Sequence, residues 1–127
     1  MSRSYSRSVV ADTAVVTTAE TAAIVSDAVS QAMNGEIVRI HGTISYLTGT
    51  ATTAVTARVR EGNGVTGTIV GEALPLTIGA AENAQIPFDV NHAPAGIAGQ
   101  VYTATVQATA ATANGTISAA AITVTLG

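Results

Sequence analysis

The 127-residue chain is long enough for one domain with a buried core, and only 10% of its residues are charged. It contains no cysteine, which excludes disulfide bonds, thiolate catalysis and cysteine-based zinc or iron–sulfur sites. The net charge is −3; Arg3 and Arg7 place two positive charges in residues 1–8, which leaves −5 on the remainder. Residues 9–127 lack the clustered cations that nucleic-acid binding requires, so we expect no nucleic-acid partner. No apolar run reaches the roughly 18 residues of a membrane span, so we expect no membrane partner either.

Apolar residues alternate with threonine and other polar residues along most of the chain, a pattern that predicts short β-strands. The segment Thr21–Val29 could also form one face of a helix, although a strand fits its all-β surroundings better. Proline within Gln85–Val90 predicts an edge strand or a bulge there. In chain order the predicted strands are Ser8–Thr18, Thr21–Val29, Glu36–Leu47, Ala54–Arg60, Thr68–Val70, Leu74–Ile78, Gln85–Val90, Gln100–Ala108 and Thr116–Leu126.

Turn signals separate these strands, at Asn34-Gly35, Gly62–Gly64 and Ala113–Gly115. Eight or nine short strands spaced about 8–15 residues apart are typical of an antiparallel β-sandwich or jelly roll, in which eight strands form two Greek keys. No helix of the length that a parallel crossover needs recurs along the chain. We therefore expect a single all-β domain over residues 9–127.

The first eight residues, MSRSYSRS, alternate serine with Arg3, Tyr5 and Arg7 and predict an extended arm ahead of the domain. A disordered basic tail is the alternative interpretation. The start of the chain is basic but has no continuous apolar region, which predicts synthesis in the cytoplasm without export. If the arm binds a neighbour, its arginines and its ring are the candidate anchoring residues.

Residues that could carry chemistry are few. His41 lies within a predicted strand and reads as a surface or packing residue; His92 follows Asp89 and Asn91, where a turn fits better than a metal site with one carboxylate. The glycines of residues 62–67 match G-x-G-x-x-G but begin no helix, so a hairpin loop fits better than a phosphate site. The threonine pairs at 103/105 and 123/125 suggest an ice-binding array, but the spacing is not sustained. We expect no catalytic residue, no metal and no cofactor.

Two stretches carry a resemblance to a known class of protein. Ala57–Glu72 (ARVREGNGVTGTIVGE) and Pro94–Gln107 (PAGIAGQVYTATVQ), with the small-residue turn Ala111–Gly115, resemble segments of small Ala/Thr/Gly-rich virion proteins of tailed bacteriophages. The resemblance covers about half of the chain. It implies a jelly roll, with a trimer like that of tumour necrosis factor as one architecture, and a role in head decoration. It implies no catalytic residues, and the Ser/Arg arm matches no pattern of the class.

The sequence therefore predicts a non-enzymatic capsid decoration protein on the surface of a phage head. Low charge and a core poor in aromatic residues favour a subunit stabilised by neighbours, so the expected partners are further copies, as a homotrimer, and the major capsid protein. Arg3, Tyr5 and Arg7 are the capsid-anchoring candidates. A carbohydrate- or receptor-binding module of a tail fibre or spike is the alternative, and a small hydrolase is the least supported.

Overall fold

The computed structural model describes residues 3–16, 19–28, 37–49, 52–72, 76–93, 100–108 and 115–126, the first of these ranges by its backbone alone. Every regular element in these ranges is a strand, and none of them contains a helix that could cross a membrane. The strands are β1 (Arg3–Val16), β2 (Thr21–Val25), β3 (Val38–Thr48), β4 (Thr53–Glu61), β5 (Ile69–Glu72), β6 (Leu76–Ile78), β7 (Asn83–His92), β8 (Tyr102–Ala108) and β9 (Gly115–Leu126).

The strands form two antiparallel sheets. Sheet A has the order β1-β9-β3-β7, and sheet B has the order β2-β8-β4-β5, with β6 also paired to β4. Successive strands alternate between the sheets except over β4–β6, so the chain winds around both sheets as in a jelly roll. The predicted antiparallel β-sandwich is confirmed. Thr21–Val25 is a strand of sheet B, so the helical alternative for this segment is wrong.

Side-chain alternation sets which face of each strand is buried. On β3, Val38, Ile40, Ile44 and Tyr46 are at most 1% exposed, as the alternation predicts. On β4 the apolar residues Val55, Ala57 and Val59 are buried beneath the polar ones. β7 lies at the edge of sheet A, and this explains how it accommodates Pro87, which has no N–H to donate to a second neighbour.

Isoleucine and valine, more than alanine, fill the interior. Of the twenty buried hydrophobic residues described, seven are isoleucine, five are valine and four are alanine. Three of the chain's four aromatic rings, those of Tyr46, Phe88 and Tyr102, are also buried there. The core therefore has larger side chains than the alanine-rich composition suggests, and its aromatic rings are used for packing between the sheets.

The N-terminal strand continues through the predicted boundary between arm and domain. Residues Arg3–Val10 pair with Ala119–Leu126 of β9 in an unbroken register, and the register shifts between Val10 and Ala14. Residue 8 thus lies within β1. The predicted turn Gly62–Gly64 is confirmed by bends with positive φ at both glycines, whereas those at Asn34-Gly35 and Ala113–Gly115 lie wholly or partly outside the described residues.

The hydroxyl of Tyr46 is buried without a hydrogen-bond partner. Because an unsatisfied buried hydroxyl costs about 1–3 kcal/mol, Tyr46→Phe is expected to raise the free energy of unfolding by about 1 kcal/mol. Tyr102→Phe is the matched comparison, since the Tyr102 hydroxyl is bonded to His92 and its removal should lower stability. Urea unfolding of the two variants measures the difference, and equal destabilisation would contradict the assignment.

Candidate functional site

The outer face of sheet B carries a polar layer formed around Glu20. The Arg60 guanidinium donates two hydrogen bonds to the Glu20 carboxylate, from Nε at 2.7 Å and from Nη2 at 2.8 Å. Arg58 donates to the same carboxylate at 3.3 Å and to Glu72 at 2.9 Å. The hydrogen bond from Arg60 holds the pKa of Glu20 below its usual value, with further help from Thr105 and Arg58 against the opposing effect of burial.

Two threonines lie beneath this layer. Thr103 and Thr105 are on the outer face of β8, opposite Arg60 and Arg58, yet both are 0% exposed. Thr105 donates to Glu20 at 2.6 Å, and Thr103 donates to the carbonyl of Gly62 at 2.6 Å, because the loop after β4 folds back over the sheet. An ice-binding array that uses Thr103 and Thr105 is therefore excluded, since ice could not reach them.

A second polar cluster joins the two sheets at one end of the sandwich. His92, the last residue of β7, lies between Glu61 of β4 and Tyr102 of β8: Nε2 is 2.9 Å from the Glu61 carboxylate, and Nδ1 is 3.2 Å from the Tyr102 hydroxyl. The His92 and Tyr102 rings meet edge to face at 5.8 Å. Burial, with a smaller effect of Glu61, raises the pKa of Tyr102 to about 12.

This cluster is built for structure more than for catalysis. A neutral His92 donates to Glu61 and accepts from Tyr102, so both ring nitrogens have partners. With a pKa near 12 the tyrosine stays protonated at neutral pH and is a poor nucleophile. The described residues include no group of three His, Asp or Glu side chains placed to hold a metal ion. The other histidine, His41, lies on the outer face of β3 opposite Asp89 and Thr123.

A cavity of about 120 Å³ lies where the edge strands β5 and β7 of the two sheets meet. Its floor includes Ala57 and Val59 of β4 and Phe88 of β7, and Glu72 and Asp89 stand at its rim. The two sheets approach closely beside it, since a Cβ on Gly71 would overlap the Val90 side chain. Nothing local in the sequence indicates that Glu72 and Asp89 line the same cavity.

The fold as a whole has solved counterparts. Three structures from infectious bursal disease virus match 98% of this chain: the Gx strain at TM-score 0.66 and 13% identity, the viral particle at 0.67 and 10%, and a mutant VP2 protein in T=1 particles at 0.60 and 12%. The chain has their jelly-roll fold. It spans about a third of their length, 32% of the first and 31% of the other two. No protein-family model and no curated protein matches the sequence.

These matches confirm one part of the resemblance seen in the sequence. The jelly roll is confirmed, and the three solved structures named above come from a virus. They are not tailed-phage proteins, and at 10–13% identity the likeness shows the fold alone. The assignment to tailed-phage decoration proteins stays a prediction.

The three predicted anchoring residues lie on one edge strand of the jelly roll. In the backbone register of β1, Arg3, Tyr5 and Arg7 stand opposite Leu126, Val124 and Ile122 of β9. Sheet A begins with β1 and ends with β7, so these positions and the cavity lie at opposite lateral edges of the sandwich. The structure describes these three residues by their backbone alone.

Proposed function

We propose that this chain is a non-enzymatic structural subunit of a virion and, more specifically, that it decorates the outer surface of a phage head. The observation that carries the proposal is the match in fold of 98% of the chain to proteins of an icosahedral virus, at a TM-score of 0.67. The distribution of polar side chains supports it. Glu20, Arg58, Arg60, Glu61 and His92 bond to one another within the subunit, in arrangements that stabilise the sandwich.

The tail-fibre alternative depends on carbohydrate recognition. Sugar sites generally stack a ring of the ligand on an exposed aromatic side chain, and Tyr46, Phe88 and Tyr102 are at most 5% exposed. A glycan would have to be bound by polar groups alone or by Tyr5. This burial favours the decoration role over the carbohydrate-binding role.

The location on the particle is tested by immunogold electron microscopy. Antibody raised against the purified chain should label virions from the source of the sequence, with gold spread over the head. Label confined to the tail would contradict head decoration and favour the fibre alternative. Unlabelled virions, with the chain absent from their protein composition by mass spectrometry, would contradict the virion role altogether.

Anchoring by the N-terminal segment is tested best by substitution, because deletion of residues 1–8 would also remove backbone partners of β9. The triple variant Arg3→Gln, Tyr5→Ser, Arg7→Gln is expected to keep its β-sheet circular dichroism and to bind undecorated heads at least tenfold more weakly. Loss of charge-assisted hydrogen bonds and of a packed ring is the physical reason. The control variant replaces the intervening Ser4, Ser6 and Ser8 by alanine. Binding of the triple variant equal to wild type would refute anchoring.

A further inference from the structure

We propose that Asn63-Gly64 is a self-modification site, at which Asn63 converts slowly to aspartate and isoaspartate, and that the buried hydroxyl of Thr103 holds the rate of this conversion down. The reactants are the side-chain amide of Asn63, the backbone nitrogen of Gly64 and water. The chemistry takes place within one subunit, so it does not depend on the proposed role of the chain in a virion.

The conversion needs no enzyme, because asparagine is a thermolabile residue and glycine has no Cβ to hinder its nitrogen. The Gly64 nitrogen attacks the side-chain amide carbon of Asn63 and forms a new C–N bond. The amide C–N bond of the side chain breaks, and ammonia leaves with the proton of the Gly64 N–H. Water then opens the resulting succinimide ring: cleavage at the side-chain carbonyl gives aspartate, and cleavage at the main-chain carbonyl gives isoaspartate.

Packing does not protect this pair. Asn63 is exposed in the loop between β4 and β5. A Cβ on Gly64, whose φ is +112°, would meet nothing within 4 Å among the described residues beyond its chain neighbours. The loop is held at its base, where the Gly62 N–H donates to the carbonyl of Val101 at 2.8 Å. Hydrogen bonds, and not neighbouring side chains, therefore restrain the backbone at the reacting nitrogen.

A hydrogen bond to Thr103 occupies the nitrogen that has to react. The Gly64 N–H donates to Oγ1 of Thr103 at 3.0 Å, and this hydroxyl donates onward to the carbonyl of Gly62 at 2.6 Å. Attack on Asn63 requires the Gly64 N–H to leave the first of these bonds. Thr103 is 0% exposed, so no water replaces the lost donor, and a buried acceptor without a donor costs free energy. Thr103 thus raises the barrier to the modification by fixing the nucleophile.

The chain supplies its own controls for the role of Thr103 as a positioning residue. Thr105 lies on the same face of β8 and is also 0% exposed, but its hydroxyl donates to Glu20 at 2.6 Å. Two further Asn-Gly pairs, at residues 34–35 and 114–115, have the same intrinsic chemistry. A change confined to Thr103 should alter the rate at Asn63 and leave the rates at these two pairs as they are.

Ageing of the purified protein at neutral pH, followed by peptide mapping with mass spectrometry, tests the protection. Folded wild type is expected to convert Asn63 about tenfold more slowly than the same chain unfolded in urea. Thr103→Val keeps the shape of the side chain but removes the hydroxyl, and it should speed conversion about fivefold, the equivalent of one net hydrogen bond. Thr103→Ser restores a hydroxyl and should age as slowly as wild type. Thr105→Val is the matched control and should leave the rate at Asn63 unchanged.

Hydrogen exchange of wild type gives a second measurement that needs no variant to fold. The Gly64 amide should exchange more slowly than the amides of Val65 and Thr66, the exposed residues that follow it. Fast exchange at Gly64, a valine variant that ages as wild type does, or a serine variant as fast as the valine variant would each overturn the role of Thr103. Acceleration at all three Asn-Gly pairs together would assign the effect to general unfolding and overturn it as well. Conversion at the other two pairs with none at Asn63 in any variant would overturn the site itself.

Discussion

Replacing Gly42 by valine is expected to destabilise the domain by about 3 kcal/mol or more. Gly42 lies in the middle of β3, which pairs with β9 on one side and β7 on the other. A Cβ at this position would overlap the backbone carbonyl of Ala121 and lie 2.8 Å from the Phe88 ring. The carbonyl belongs to the paired strand and cannot move without disturbing the register, so overpacking here strains both ladders of the central strand.

Thr43→Val is the matched control for this substitution. Thr43 is the next residue on β3, is exposed on the outer face and already carries a β-branched side chain. Its replacement should change the free energy of unfolding by less than about 0.5 kcal/mol. Chemical denaturation followed by circular dichroism measures both variants. A Gly42→Val protein as stable as the Thr43→Val protein would contradict the close packing of β3 against β9 and Phe88.

Local alternation was sufficient to predict most strands and their buried faces. Over residues 38–45 of β3 and 55–60 of β4 apolar and polar residues alternate, so burial of Val38, Ile40, Val55 and Val59 follows from the period of a strand. On β8 the same reasoning fails, because Thr103 and Thr105 point away from the core and are nevertheless buried. A loop some forty residues earlier in the chain covers Thr103, and the Glu20 side chain covers Thr105; no pattern around β8 indicates either contact.

The two polar clusters could not be predicted from the sequence, because their members are also far apart along the chain. Glu20 and Arg60 are forty residues apart, and Glu61 and His92 are thirty-one apart. They meet because β2 and β4 lie on either side of β8 in sheet B, and because His92, the last residue of β7 in sheet A, reaches Glu61 of β4. The strand order determines these pairs, and one sequence without a register cannot supply the strand order.

Glu20→Gln is expected to lower the free energy of unfolding by about 2–3 kcal/mol at neutral pH. The Glu20 side chain is 12% exposed, and its carboxylate accepts hydrogen bonds from Arg60, Arg58 and Thr105. Glutamine preserves the shape of the side chain but places an amide N–H₂ group against the hydrogen-bond donors that the carboxylate accepted from. It also leaves Arg58 and Arg60, each 17% exposed, without the negative charge that they share. Removal of one partner of a fully buried pair costs about 3–5 kcal/mol, and partial solvation of this face reduces that figure.

Wild type and Glu20→Gln are expected to differ in free energy of unfolding. The pH dependence of that difference shows whether the variant loses stability through the missing charge or through poorer packing. The pKa of Glu20 is lowered in the folded protein from its usual 4.5, so the folded state binds this proton less readily than the unfolded state does. The stabilisation is therefore fully present above about pH 4.5 and is lost as the pH falls through the folded-state pKa. Denaturation series between pH 3 and pH 7 should show the two proteins converging at acid pH. A constant difference would assign the effect to packing and contradict the ion-pair account.

Asp89→Asn is the comparison that isolates the effect of burial on the strength of an arginine–carboxylate pair. Asp89 accepts two hydrogen bonds from Arg39, much as Glu20 does from Arg60, and its pKa is likewise lowered by that arginine. The side chains of the Arg39–Asp89 pair are 53% and 54% exposed, however, so water and salt screen their attraction. The loss of stability should be smaller than for Glu20→Gln and should shrink further at high salt. If the two variants lost equal stability, burial would not be the reason that Glu20 matters, and the polar layer on sheet B would be no more than surface charge.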